Sequence, residues 1–204
     1  MIRVDNTGPV WTITIDRPDK AGALTEAMLQ DLAQAARAAT AARAVILTGT
    51  GGVFSAGADL DAARAGLATS PLWEELSGAI AALPGLTIAA LNGTVAGGAN
   101  GMVLACDMRI AVPKARFFYP VMKLGYLPQP SDPRRMAALI GPARAKMILL
   151  AGQKIDADRA LSWGLIDELV DADALLTRAR DLCADTVAAD PQVAHAIKAL
   201  CPGI

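Results

Sequence analysis

Two stretches of the chain place small residues where an apolar strand should give way to a helix. They are Phe54-Ser55-Ala56-Gly57-Ala58-Asp59-Leu60 and Asn92-Gly93-Thr94-Val95-Ala96-Gly97-Gly98-Ala99-Asn100-Gly101. Glycine at such a junction lets a ligand approach the main chain, and the unpaired N–H groups of a first helical turn stabilise negative charge placed on them. The chemistry to look for is therefore an anion or oxyanion site built from backbone. A serine triad is disfavoured. No histidine accompanies Ser55 in any recognisable pattern, and the single histidine, His195, lies in the last predicted helix, where packing or surface exposure explains it better than catalysis. Gly49-Thr50-Gly51-Gly52 follows a strand but lacks both GxGxxG spacing and a Walker lysine, which removes the nucleotide-binding readings.

Four polar residues near these junctions have two readings each. Asp132 stands before Pro133 at the start of a helical stretch, where an N-cap is the ordinary role and a displaced general acid or base the sharper one. Tyr119 fits the core of a short strand or a ligand-orienting hydroxyl. Asp59 fits a cap for the helix after its glycine turn. Asn100 suits either substrate contact or a first helical turn, and both readings stand.

The elements that must hold these junctions read as alternating strands and helices. Val10 to Asp16 alternates as a half-buried strand, and Thr25 to Ala42 carries apolar residues at helical spacing with Thr25 as N-cap. Ala44 to Leu47 and Thr87 to Leu91 are short, continuously apolar strands of the kind covered on both faces. Between them lies a helix over about Leu72 to Leu83. A further helix runs from the second junction to about Cys106, followed by strands at Met108 to Val112 and Ala115 to Phe118. Leu124 to Ser131 is too proline-rich to be regular. Helices return over Asp132 to Leu150, Ala157 to Trp163 (capped by Asp156, stopped by Gly164), and from Ala172 onward with a break at Pro191. This is an α/β chain. No linker, repeat or low-complexity tract divides it, so one domain over 1–204 is expected, with a core over about 1–150 and C-terminal helices over about 151–204.

Composition agrees with a small-molecule protein. Of 204 residues, 53% are hydrophobic and 4% aromatic, and the net charge is -1, so neither a disordered tail nor a basic or stacking surface for nucleic acid is expected. The three cysteines, Cys106, Cys183 and Cys201, are far apart and form no CxxC pair, as expected of reduced thiols in a cytoplasmic protein. The first residues lack the pattern of a signal peptide, and no apolar run reaches membrane-spanning length, so no membrane association is expected.

Six blocks in order make a resemblance specific: Arg17-Pro18-x-Lys20, FSAGADL at Phe54–Leu60, LNGTVAGGANG at Leu91–Gly101, Cys106-Asp107, YPVMKLGYLP at Tyr119–Pro128, and Ala160-x-x-Trp163-Gly164-Leu165-Ile166-Asp167. Together they resemble the enoyl-CoA hydratase/isomerase family of the crotonase superfamily, over nearly the whole chain. The resemblance implies a crotonase-like ββα spiral with a short C-terminal helical region. It implies an acyl-CoA enzyme, lyase or isomerase, in which two main-chain amides, at Ser55 and Gly98, hold a thioester oxygen as it becomes an enolate-like oxyanion. Each such donor is worth roughly 2.7–4 kcal/mol. It further implies substrate contacts from Ala56, Ala58, Asp59, Leu60, Gly97, Gly101, Tyr119 and Val121, and contacts with coenzyme A, as part of the substrate, from Lys20 and Ala21. No separate cofactor or metal is implied.

The departures from the family pattern shape the expected chemistry. The family's two proton-moving glutamates align with Gly101 and Val121, neither of which can transfer a proton. The nearest replacement lies in Gln129-Pro130-Ser131-Asp132, with Asp132 as the non-standard acid or base. Asp61 stands where a basic residue often meets coenzyme A, and the segment between Asp59 and Leu83 is short for the family. The chain stops soon after Lys198, where the family continues into a lid that also builds homotrimers and hexamers. A non-catalytic acyl-CoA-binding or regulatory protein and a thioester hydrolase are the alternatives.

Overall fold

The computed structural model describes residues 1–201 as two sheets wrapped by helices. The elements run β1 (Ile2–Asp5), β2 (Val10–Ile15), α1 (Glu26–Ala38), β3 (Ala44–Gly49), β4 (Val53–Ser55), α2 (Leu60–Arg64) and α3 (Leu72–Ala81). Next come β5 (Leu86–Leu91), β6 (Thr94–Ala96), α4 (Ala99–Leu104), β7 (Met108–Ala111), β8 (Arg116–Phe118), α5 (Val121–Leu124), α6 (Asp132–Ile140) and α7 (Pro142–Leu149). The last are β9 (Ile155–Asp156), α8 (Ala157–Trp163), β10 (Glu168–Leu169), α9 (Leu175–Leu182), α10 (Ala184–Ala188) and α11 (Pro191–Leu200).

The larger sheet has the order β1-β2-β3-β5-β7-β10, parallel throughout except for the β1/β2 hairpin. The smaller sheet has the order β4-β6-β8-β9, with only β9 antiparallel. Connectivity repeats: β3 then β4, β5 then β6, and β7 then β8 each run from the large sheet to the small one before a helix follows. This is the expected ββα spiral. Its driving force is visible in β3 and β5, where Ala44–Leu47 and Ile88–Leu91 are almost wholly buried because helices or the second sheet cover both faces. Helix α1 turns Met28, Leu29, Leu32 and Ala36 onto that core, and the Thr25 hydroxyl caps it by accepting the Met28 N–H at 3.3 Å.

The structure corrects several expected boundaries. The stretch 25–42 leaves the α-helix at Ala38 and closes with a 3-10 turn over Ala39–Ala41. Asp132–Leu150 is two helices, because Gly141 (φ +82°, ψ 153°) precedes Pro142, whose ring excludes a helical neighbour. The region from Ala172 becomes three helices, and residues 202–204 lie outside those described. A division into a core over 1–150 and C-terminal helices does not match the pairing, since β9 joins β8 and β10 joins β7. No described helix is long and apolar enough to cross a membrane.

One buried cation fixes the third repeat. Arg109 on β7 is 3% exposed and donates from Nη1 to Cys106 O (2.7 Å) and from Nε to Leu165 O (3.0 Å), while its own N–H reaches Asp167 Oδ2 (2.7 Å). It thus ties the end of α4 to the turn before β10. Arg109→Met should lower stability by about 2–4 kcal/mol, read from denaturant midpoints, because it strands buried carbonyls that water cannot reach.

Candidate active site

The first junction sits where β4 ends. Ser55 is fully buried; its hydroxyl donates to Gly22 O (2.8 Å) and accepts the Gly57 N–H (3.1 Å). A ligand therefore has no access to Ser55, and the expected donor there must be corrected. The next amide, at exposed Ala56, donates to Ala21 O at 3.0 Å. Ala21 itself takes a left-handed backbone (φ 51°) at the end of the Pro18–Lys20 turn. The turn expected to meet coenzyme A is thus laced directly to the glycine junction. Arg17 extends the lacing by donating to Ala23 O (2.8 Å) and to Asp59 Oδ2 (2.9 Å). That bond is the main cause holding the Asp59 carboxyl below the usual range. Asp59 also caps α2 by accepting from Asp61 and Ala62 N–H, so its structural reading stands. Leu60 is 74% exposed, Ala58 half-buried and Lys20 exposed.

The second junction ends in α4. The Gly97 N–H is spent on Phe118 O (3.2 Å), whereas the Gly98 N–H has no acceptor among the described residues. Asn100 is buried and braces the turn through Nδ2 to Gly97 O (2.8 Å) and Phe118 O (3.1 Å), which decides its role in favour of structure. Gly98 faces an indole. A β-carbon at 98 would meet three ring atoms of Trp73, on α3, at 2.8–3.0 Å. Sequence reading missed Trp73, whose only signal was a large aromatic within the helix expected over about Leu72 to Leu83.

Gly101 faces Asp132. A β-carbon at 101 would lie 2.9 Å from Asp132 Oδ1 and 3.2 Å from Oδ2. The carboxylate on α6 thus occupies the ground into which any side chain at 101 would project, so a side chain there would have to displace it. Asp132 is not a cap. Ser131 holds the N-cap position, and Asp132, fully buried, makes no capping bond. Its Oδ2 accepts from Tyr119 Oη at 2.9 Å, while Oδ1 has no partner. Tyr119 is a core residue (4% exposed), and its hydroxyl is committed to the Asp132 carboxylate.

Burial pushes the Asp132 carboxyl up to about 7; the Glu74 charge adds to the rise, while the Tyr119 bond and Arg135 oppose it. Burial and the adjacent Asp132 charge push the Tyr119 phenol above the tyrosine range. Glu74, the residue after Trp73, accepts from the Ser131 N–H (3.2 Å) and from the Ser131 hydroxyl. It therefore clips the start of α6 to the first turn of α3. Val121, where the resemblance implies a glutamate, begins α5 and is buried.

The two best-formed surface clefts lie elsewhere, one lined by Thr40, Arg43, Gly85 and His195, the other by Arg37, Glu75 and Ala82. Neither opens on the glycine junctions.

With this geometry in place, comparison with known proteins is direct. The family model described as enoyl-CoA hydratase/isomerase matches residues 5–201. A Citrobacter koseri carnitinyl-CoA dehydratase is 35% identical over 201 residues, 94% of this chain and 76% of that protein. A Mycobacterium tuberculosis protein named "Probable enoyl-CoA hydratase echA6" is 35% identical over 179 residues, 85% of this chain and 74% of its own. The crystal structure of an enoyl-CoA hydratase from Bacillus anthracis superposes with TM-score 0.88 at 31% identity, covering 97% of this chain and 80% of that one. The chain belongs to the enoyl-CoA hydratase/isomerase family, within the crotonase superfamily.

Two stability measurements check this site. Gly101→Ala should cost about 1–3 kcal/mol through overpacking against Asp132, and Asp132→Ala should relieve it, giving a coupling of about 1 kcal/mol in a double-mutant cycle. Strict additivity would contradict the contact. The second concerns pH. Because the Asp132 midpoint in the fold, about 7, lies above 3.8, the folded chain keeps a proton that the unfolded chain has released between those values. This contribution to stability is complete below about pH 4, falls as pH rises to about 7, and is level above. Asp132→Asn should remove that slope from a series of denaturant titrations.

Proposed function

We propose that the chain binds an acyl-CoA thioester, polarises its carbonyl on the Gly98 amide, and moves a proton at the α-carbon with Asp132 as the non-standard acid or base. The observation that carries this reading is the free oxygen of Asp132 against Gly101, less than one helical turn from an amide without an acceptor. The side chains give a carboxyl near neutrality and the main chain gives a donor for the developing oxyanion, which are the two parts enolate chemistry needs. The second oxyanion donor is Ala56 N–H, once the thioester oxygen takes the place of Ala21 O. The relatives named above for CoA substrates support the choice of thioester.

A non-catalytic acyl-CoA-binding role is favoured by one separate observation: Asp132 is fully buried and the first junction is closed by the Ala56–Ala21 bond. The two readings part in D2O. Incubated with acyl-CoAs and followed by mass spectrometry, the protein should place deuterium at the α-carbon, and Asp132→Asn should slow this by about a hundredfold or more. Saturable binding with no exchange would assign the binding role. Release of free CoA without exchange would point instead to thioester hydrolysis.

A further inference from the structure

We infer that Trp73 sets the acyl specificity of this site in favour of thioesters of short acyl groups; this rests on the acyl-CoA reading above. The indole lies against Gly98, closer than a β-carbon there would allow, and Gly98 carries the amide without an acceptor. An oxygen held by that N–H sits about 2.9 Å from the nitrogen, so the acyl carbons that follow it start beside the same glycine that the ring packs on.

The indole is not free to yield. Its Nε1 donates to Leu67 O at 2.8 Å, Leu67 is itself buried, and Trp73 is 3% exposed, so the space behind the ring is filled. The group packed one turn further along α4 is equally fixed. Asp132 and Tyr119 are joined there by their hydrogen bond, and Asp132 Oδ1, wholly buried and without a partner, faces the same stretch of α4. Glu74 binds Ser131, so the helix carrying Trp73 and the helix carrying Asp132 are fastened at their first turns and cannot part without breaking both bonds to Ser131. A short acyl group held at Gly98 need not reach past the indole. A long one requires the indole to leave its carbonyl.

The test is calorimetric titration of the whole chain with acetyl-, butyryl-, octanoyl- and dodecanoyl-CoA, repeated with Trp73→Leu and with Trp73→Phe. The phenylalanine variant keeps an aromatic ring but loses the bond to Leu67 O, and serves if the leucine variant does not fold. The wild-type chain should bind butyryl-CoA about tenfold or more tightly than dodecanoyl-CoA, and the ratio should shrink or reverse in the variants. Tight dodecanoyl-CoA binding by the wild-type chain, or an unchanged order of affinities in a folded variant, overturns the role of Trp73 while leaving the acyl-CoA reading intact. Absence of binding to every thioester by wild type and variants alike overturns both.

Discussion

Helix α4 is six residues long, and both it and the turn before it present bare main chain to their neighbours. At Gly98 an indole rests where a β-carbon would be, and at Gly101 a carboxylate does. How near α3 and α6 can come to α4 is decided by these two hydrogens in place of side chains, and the rest of the site follows from that approach. Packed this closely, Asp132 is stripped of water and its carboxyl moves toward neutrality, while Tyr119 supplies the one hydrogen bond that keeps the group oriented. The large sheet is remote from the chemistry. It acts by holding β5 and β7 rigid, so that the segments leaving their ends deliver α4 and Tyr119 to fixed places.

Much of the fold was legible because its central strands are continuously apolar and its longer helices carry a clear stripe. What escaped were several of the shortest strands, in the small sheet and beside it, although β8 was expected. Thr94–Ala96, Ile155–Asp156 and Glu168–Leu169 have two or three residues each, too few for a period, and they are strands only because a distant partner offers its ladder. The break at Gly141 was readable in Gly-Pro, yet strong helix formers on both sides masked it.

The site was legible in a different measure. Asp132 was singled out as the acidic residue of the irregular segment Gln129-Pro130-Ser131-Asp132, yet its ordinary reading, a helix cap, is not what the fold makes of it. Pro133 and a helix start give that reading, and only the three-dimensional approach to Gly101 removes it. Ser55 was one step from the surface: strand β4 buries it and leaves Ala56 as the exposed residue of the junction. Trp73 and Glu74 lie between the family blocks, where spacing says nothing about what a side chain covers. Their neighbourhood to Gly98 and Ser131 depends on how α3 lies across α4 and α6.

The contact between position 101 and the carboxylate of Asp132 also bears on redesign. A side chain placed at 101 must displace that carboxylate, so a change at either position is felt at the other, and substitutions on this face of α4 act in pairs, never singly.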